Sequence, residues 1–179
     1  MKNKRQGFTL LELVLVVALV GVVTAVSYSI LFAGEKSFEV GVDKGIAQED
    51  QRILREFLVK ELRYVSYLKN VEPDEDEYDY YYLLEMESIN KNDVNLYQLK
   101  KTKYKNGKPK GSTTNSVKMK YFKLVAEGEK VEVNFTSETD NKDYSFTIFF
   151  ENRPSVGDPL ELTPDKKKIY YSYPQYKTD

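Results

Sequence analysis

An uncharged, apolar run near the N-terminus constrains this chain more than any other feature. No side chain in residues 13–34 carries a charge, and the apolar character begins at Phe8. As an α-helix, the roughly 26 residues that start at Phe8 would extend about 39 Å, which is enough to cross a hydrocarbon core of about 30 Å. The sequence therefore predicts a transmembrane helix over residues 8–34.

The charges on either side of this run predict its orientation. Residues 1–7 contain Lys2, Lys4 and Arg5, whereas the charges that follow the run nearly cancel. The positive-inside rule then places the N-terminus in the cytoplasm and the bulk of the chain outside. A cleaved secretory signal peptide is the main alternative, but its apolar region is only about 7–15 residues long. This run is longer, so we expect a membrane anchor.

A single carboxylate, that of Glu12, lies at the start of the apolar run. A charged group inside a membrane helix is costly and by default has a function and a partner. Cleavage after Gly7 would create an α-amine on Phe8, one helical turn before Glu12 and on the same face. That amine could neutralise the carboxylate of its own chain or of a neighbouring chain. In the structural alternative, the helix dipole stabilises a carboxylate near the helix start.

The residues around the start of the run form a recognisable motif. Gly7, Phe8, Thr9 and Glu12 occur in register, after a short basic segment and before the long apolar helix. This arrangement resembles the type IV prepilin and pseudopilin family. The resemblance implies that a prepilin peptidase removes residues 1–7 as a leader by cleaving between Gly7 and Phe8, and N-methylates Phe8. It also implies that Glu12 pairs with the Phe8 amine of an adjacent pilin subunit during filament assembly.

Two features bear on the kind of subunit that the resemblance implies. Many major pilins carry a proline partway along this helix, whereas the first proline of this chain is Pro73. The segment Lys60-Glu61-Leu62-Arg63 resembles the corresponding helix of minor pilins and pseudopilins of the W or J type. The implied protein is a minor subunit that primes or caps a filament. It would lie first in the cytoplasmic (inner) membrane and then in a cell-surface pilus or pseudopilus.

Beyond the membrane segment, the sequence predicts the amphipathic half of the helix over residues 35–72. Apolar residues recur there with a three-to-four spacing, which is typical of a helix that packs one face against a sheet. These residues are Ile46, Ile53, Leu54, Phe57, Leu58, Leu62, Val65 and Leu68. Pro73 is expected to end the helix.

After Pro73 the pattern changes to an alternation of period two, which predicts four or five β-strands. The predicted strands cover residues 80–87, 96–99, 117–121, 131–135 and 144–150, with an edge strand at 169–173 and loops at 106–115 and 137–143. Short connections favour antiparallel pairing. The predicted fold is α+β and pilin-like, with the long helix packed on an antiparallel sheet in an extracytoplasmic domain of residues 73–179.

The composition argues against several classes of function. The chain contains no histidine and no cysteine, which removes the commonest general base, the usual zinc ligands and any disulfide. No phosphate-binding glycine motif is present. We therefore expect a structural protein with no catalytic residues, no cofactor and no metal site, rather than an enzyme.

Two charged runs have more than one interpretation. An acidic run could hold a hard cation if its oxygens converged on one point, but an extended charged segment more often faces solvent or a partner. A lysine run with interleaved tyrosines could bind nucleic acid or protect an exposed edge strand against aggregation. The net charge of −1 does not favour a nucleic-acid partner, although the local run leaves one open. The acidic run is Asp74, Glu75, Asp76, Glu77 and Asp79, and the lysine run is Lys100, Lys101, Lys103, Lys105, Lys108 and Lys110.

Three functions remain open from the sequence alone. The first is a filament subunit that polymerises through its N-terminal helix. The second is a signal-anchored extracytoplasmic binding module that stays monomeric in the membrane. The third is a competence or secretion pseudopilin that contacts DNA or an exported protein. Cleavage after Gly7 distinguishes the first and third functions from the second.

Overall fold

The computed structural model describes residues 9–73, 78–91, 94–152, 154 and 159–174. The chain falls into two compact units, Met1–Asp43 and Lys44–Asp179. The described residues form one helix and nine strands: α1 (Leu10–Leu62), β1 (Tyr67–Lys69), β2 (Tyr80–Lys91), β3 (Val94–Lys105), β4 (Lys108–Thr114), β5 (Met119–Glu127), β6 (Lys130–Ser137), β7 (Asp143–Phe149), β8 (Leu160–Leu162) and β9 (Lys168–Ser172).

In the first unit, α1 buries none of its apolar side chains within the chain. All side chains of residues 9–42 are exposed. Three hydroxyl groups of this segment are satisfied inside the helix, because each donates to a carbonyl oxygen four residues earlier, at 2.7–3.0 Å. An environment without water demands such internal pairing. The donor and acceptor pairs are Thr24 with Val20, Ser27 with Val23, and Ser29 with Ala25.

In the second unit, the later turns of α1 pack one face against the sheet. Leu54, Leu58 and Leu62 are at most 1% exposed and join a single hydrophobic cluster with residues of the strands. Their spacing places them on one face, as the predicted stripe requires. The observed buried face differs from the predicted stripe at its start, where Ile46 is 47% exposed and Ala47 is buried instead.

The end of α1 corrects the predicted amphipathic helix of residues 35–72. The helix ends at Leu62, and residues 67–69 form strand β1. The amide of Ser66 donates to the carbonyl oxygen of Ser172 at 2.9 Å, and β1 pairs antiparallel with β9. Backbone pairing with the last strand therefore replaces the final helical turns. Periodicity alone could not show this, because apolar residues in this stretch, such as Leu68, are buried in either arrangement.

The strands form one antiparallel sheet in the order β1-β9-β2-β3-β5-β6-β7, with β4 beside β3 and β8 beside β5. The α+β fold class, a long N-terminal apolar helix followed by an antiparallel sheet, is confirmed. The last predicted strand is correct as a strand but wrong as an edge, because β9 lies between β1 and β2. Its backbone pairs on both sides, which an edge strand cannot do.

The predicted loop at residues 106–115 is also wrong for most of its length. Asn106 and Gly107 have φ angles of 49° and 66°, which is the geometry that closes a two-residue hairpin. Strand β4 follows at once and pairs with β3, with a register shift between Lys103 and Tyr104. The prolines and glycines of this stretch suggested irregular backbone, whereas the Asn-Gly pair was the stronger signal.

Candidate functional site

The first turn of α1 is closed by a reciprocal pair of side chains, Thr9 and Glu12. The backbone amide and the hydroxyl of Thr9 both donate to Glu12 Oε2 at 3.0 Å. The backbone amide of Glu12 donates to Thr9 Oγ1 at 3.3 Å. This is a capping box, in which two residues three apart satisfy each other's unpaired amides at a helix start. Glu12 therefore fixes where the helix begins.

This geometry supports the structural interpretation of Glu12 and leaves room for the functional one. Within the described residues, both hydrogen bonds to the carboxylate end on Oε2, so they leave Oε1 without a described donor. The side chain of Glu12 is exposed. Gly7 and Phe8, the predicted sites of cleavage and N-methylation, lie outside the described residues. The Thr-x-x-Glu spacing was itself a capping-box signal in the sequence.

The helix that carries this motif has the properties of a membrane segment. Among the described residues, α1 is the one helix that is long and apolar enough to cross a membrane, by length and composition. The segment that meets this criterion lies near the N-terminus, and none of it is buried inside the protein. Its apolar surface therefore has to be covered by something outside the chain.

Comparison with known families gives a match at this same segment. Residues 2–28 match the family model of the prokaryotic N-terminal methylation motif. The chain carries a prepilin-type methylation motif. The match covers Gly7, Phe8 and Glu12, and it supports a type IV pilin-like or pseudopilin-like protein that is processed and then assembled with other pilin subunits. The motif implies a structural protein rather than an enzyme. No curated protein and no solved structure matches the chain.

A second constellation, at the end of α1, was not predicted from the sequence. Glu61 is only 4% exposed. The phenol groups of Tyr171 and Tyr173 donate to its Oε2 at 2.8 and 2.9 Å, and Lys101 forms an ion pair with the same oxygen. The signal was present in the sequence, because Glu61 lies three residues after the buried Leu58 and so on the apolar face.

Burial and charge keep the two tyrosines of this cluster protonated. Burial, and then the negative charge of Glu61, raises the pKa of Tyr171 well above its ordinary value and raises that of Tyr173 as well. Both phenols therefore stay neutral hydrogen-bond donors at physiological pH. The cluster joins the last turn of α1 to strands β3 and β9. It orients the helix on the sheet, and Glu61, in the Lys-Glu-Leu-Arg segment singled out above, is its centre.

The acidic groups give no metal centre among the described residues. Asp74, Glu75, Asp76 and Glu77 lie outside the described part of the chain. Within it, no group of three or more acidic side chains comes together that could hold a metal ion. Asp140, a described acidic residue, makes local hydrogen bonds. Its carboxylate accepts hydrogen bonds from the Lys142 amide at 3.2 Å and from the Tyr144 phenol at 2.7 Å, which stabilises the local turn.

Proposed function

We propose that this protein is a subunit of a type IV pilus-like filament, held in the cytoplasmic membrane by α1 before assembly. The observation that carries the proposal is the methylation motif at residues 2–28, at the head of a helix whose apolar side chains in residues 10–42 are all exposed. A filament supplies that cover, because the same segments of neighbouring subunits pack side by side. The N-terminus lies in the cytoplasm and the sheet unit outside.

Processing by prepilin peptidase supplies the positive amine that pairs with Glu12 at the helix start. Cleavage after Gly7 leaves a positive amine on Phe8, directly before Thr9. The Glu12 carboxylate keeps Oε2 for the capping box and offers Oε1 to the N-methylated amine of a neighbouring subunit. A carboxylate and an amine that are each costly in the membrane become neutral together when two subunits meet, so the pair favours assembly over the isolated chain.

Mass spectrometry of the protein from cells with an active prepilin peptidase tests the processing step. We expect a mature chain that begins at N-methylated Phe8. A chain that still begins at Met1 in such cells would instead indicate the signal-anchored, monomeric binding module.

Two substitutions of Glu12 separate capping from pairing. Glu12→Gln keeps an acceptor for the capping box, since glutamine serves that position as well, but removes the charge. Glu12→Ala removes both. Pairing predicts that both variants insert into the membrane and that neither is incorporated into filaments, as measured by immunoblotting of sheared filaments against the membrane fraction. Normal incorporation of the glutamine variant would reduce Glu12 to a cap.

We further propose that the subunit is a minor one that primes or caps the filament. The absence of proline from residues 8–72 and the Lys-Glu-Leu-Arg segment at the end of α1 support this assignment. The number of copies per filament, counted by quantitative mass spectrometry, tests it. A few copies are expected, and a copy number equal to that of the main building block would overturn it.

A further inference from the structure

The alternating lysines of β3 share one face of the sheet with two tyrosines. Lys103 and Lys105 lie opposite Tyr82 and Tyr80 of β2 in the antiparallel register. Lys101 lies two residues before Lys103 and therefore on the same face. This face adjoins the end of α1, because Lys101 forms the ion pair with Glu61.

The tyrosine rings hold the ammonium groups in place. The Nζ atoms of Lys103 and Lys105 lie 4.4 and 5.0 Å from the centroid of Tyr80, and that of Lys101 lies 4.5 Å from the centroid of Tyr82. A hydrogen bond with Lys105 lowers the pKa of the Tyr80 phenol. Cation–π contacts of this kind orient a cation without neutralising its charge. The face is therefore both positive and ordered.

Beside these rings, an open groove of about 330 Å³ lies over strands β2, β3 and β4. Three lysines line it, namely Lys101, Lys103 and Lys110. Lys101 is balanced by Glu61, whereas within the described residues Lys103 and Lys110 form no ion pair with a carboxylate. The groove has free space at Gly111, where an added Cβ atom would meet nothing within 4 Å. The groove has room and two unbalanced positive charges.

The chemistry of the groove favours carboxylates over nucleic-acid bases. Binding of single strands depends on free aromatic faces on which bases stack. Here the ring of Tyr80 carries two ammonium groups, and the ring of Tyr82 carries one and stacks on Tyr171 at 5.3 Å. The groove can therefore recognise a series of negative charges but presents little surface to a base.

The same chain supplies a matching series of negative charges. Residues 74–79 contain five carboxylates, whereas the net charge of the whole chain is only −1. Each copy thus brings one dense cationic surface and one dense anionic segment. We propose that the lysine groove of one copy binds the acidic segment, residues 74–79, of a second copy, and so sets the register between neighbouring subunits. This inference rests on the proposed filament function.

Exchanging the charges tests the contact. One variant carries Lys103→Glu and Lys110→Glu, and the other carries lysine at all four positions of the acidic stretch, through Asp74→Lys, Glu75→Lys, Asp76→Lys and Glu77→Lys. Each alone should enter filaments on the order of tenfold less than the wild type, because like charges then face each other. Expressed together, the two variants should recover, since each groove then meets an opposite segment on the other chain. Failure to recover in the mixture would overturn the proposal.

Cross-linking distinguishes contact between copies from contact within one chain. The chain has no cysteine, so a disulfide between Gly111→Cys on one copy and Asp76→Cys on a differently tagged copy reports the contact of groove and acidic segment between copies. A disulfide-linked heterodimer that forms in lower yield at high salt, where the charges are screened, supports the proposal. A disulfide confined to single chains that carry both substitutions would overturn it, as would binding of single-stranded DNA at physiological salt with no disulfide between copies.

The wild-type chain separates this inference from the function on which it rests. If the wild type is not incorporated into filaments, the filament function is wrong. If the wild type is incorporated and both charge-reversed variants are incorporated equally well, the filament function stands and the groove contact is wrong. Gly111→Ala is the matched control, because it changes the groove floor without adding charge and should leave incorporation unchanged.

Discussion

The two parts of α1 show that the same type of residue can be exposed in one part of a helix and buried in another. Leu19 and Leu58 belong to one helix, yet Leu19 is 56% exposed and Leu58 is fully buried. Propensity and hydropathy do not separate them. What differs is the partner, since the later turns pack against a sheet of their own chain, whereas residues 9–42 are exposed in the described part of the chain. The apolar pattern therefore predicts that a helix surface will be covered. Whether a sheet of the same chain or another molecule covers it depends on the rest of the chain.

The largest expected effect on stability comes from shortening the buried leucine of this pair. Leu58→Ala leaves a cavity in the core between α1 and the sheet, and should lower the free energy of unfolding by about 2–5 kcal/mol. Leu19→Ala removes the same atoms from an exposed position and should leave the unfolding of the sheet unit unchanged. Denaturant titration of the full chain in detergent micelles measures both. Equal losses would mean that the two parts of the helix are not energetically distinct.

A smaller effect is expected from the buried cluster around Glu61. Glu61→Gln keeps an acceptor for the phenols but leaves Lys101 without its counter-charge, at a cost of about 2 kcal/mol in the same titration. The matched control is Arg52→Gln, which breaks ion pairs to Glu49 and Glu56 that lie at the surface. Such pairs contribute little, so no measurable change is expected. A control as damaging as the Glu61 variant would contradict the assigned role of burial.

The smallest effect belongs to the exposed start of the helix. Thr9→Ala removes half of the capping box and should speed amide exchange in the first turn about fivefold, in line with the loss of one N-cap. Thr24→Ala is the control, because its hydroxyl only adds a second bond to the Val20 carbonyl within the helix. Exchange measured by NMR in micelles checks both. If Thr24→Ala loosened the first turn equally, the capping role would be disproved.

The sequence was most informative where a local pattern has one physical cause. The long apolar run predicted a helix, which the structure contains. The alternation in residues 131–135 correctly predicted β6, and that in residues 117–121 predicted the start of β5, which begins at Met119. Gly128 likewise marked the turn between β5 and β6, where its φ is 58°. In these places, the residue type and the backbone conformation that it favours coincide.

The sequence was least informative where partners are distant along the chain. The end of α1 and the position of β9 depend on pairing between residues about a hundred positions apart, which no local periodicity encodes. The cluster of Glu61, Lys101 and Tyr171 joins three such segments. A buried carboxylate is readable as unusual from its place on an apolar face, but its partners are not. The methylation motif was predictable because all of its residues lie within a single short segment.

The position of β9 has a consequence for how the molecule is made. Because β9 pairs with β1 on one side and β2 on the other, this part of the sheet cannot form until Ser172 has left the ribosome. Until then, the end of α1 has neither Tyr171 nor Tyr173 to hold Glu61. A chain that stops short of Lys168 would keep its membrane helix and its motif but lack the strand that joins β1 to β2. The sheet of the second unit is thus complete only in chains that extend through β9.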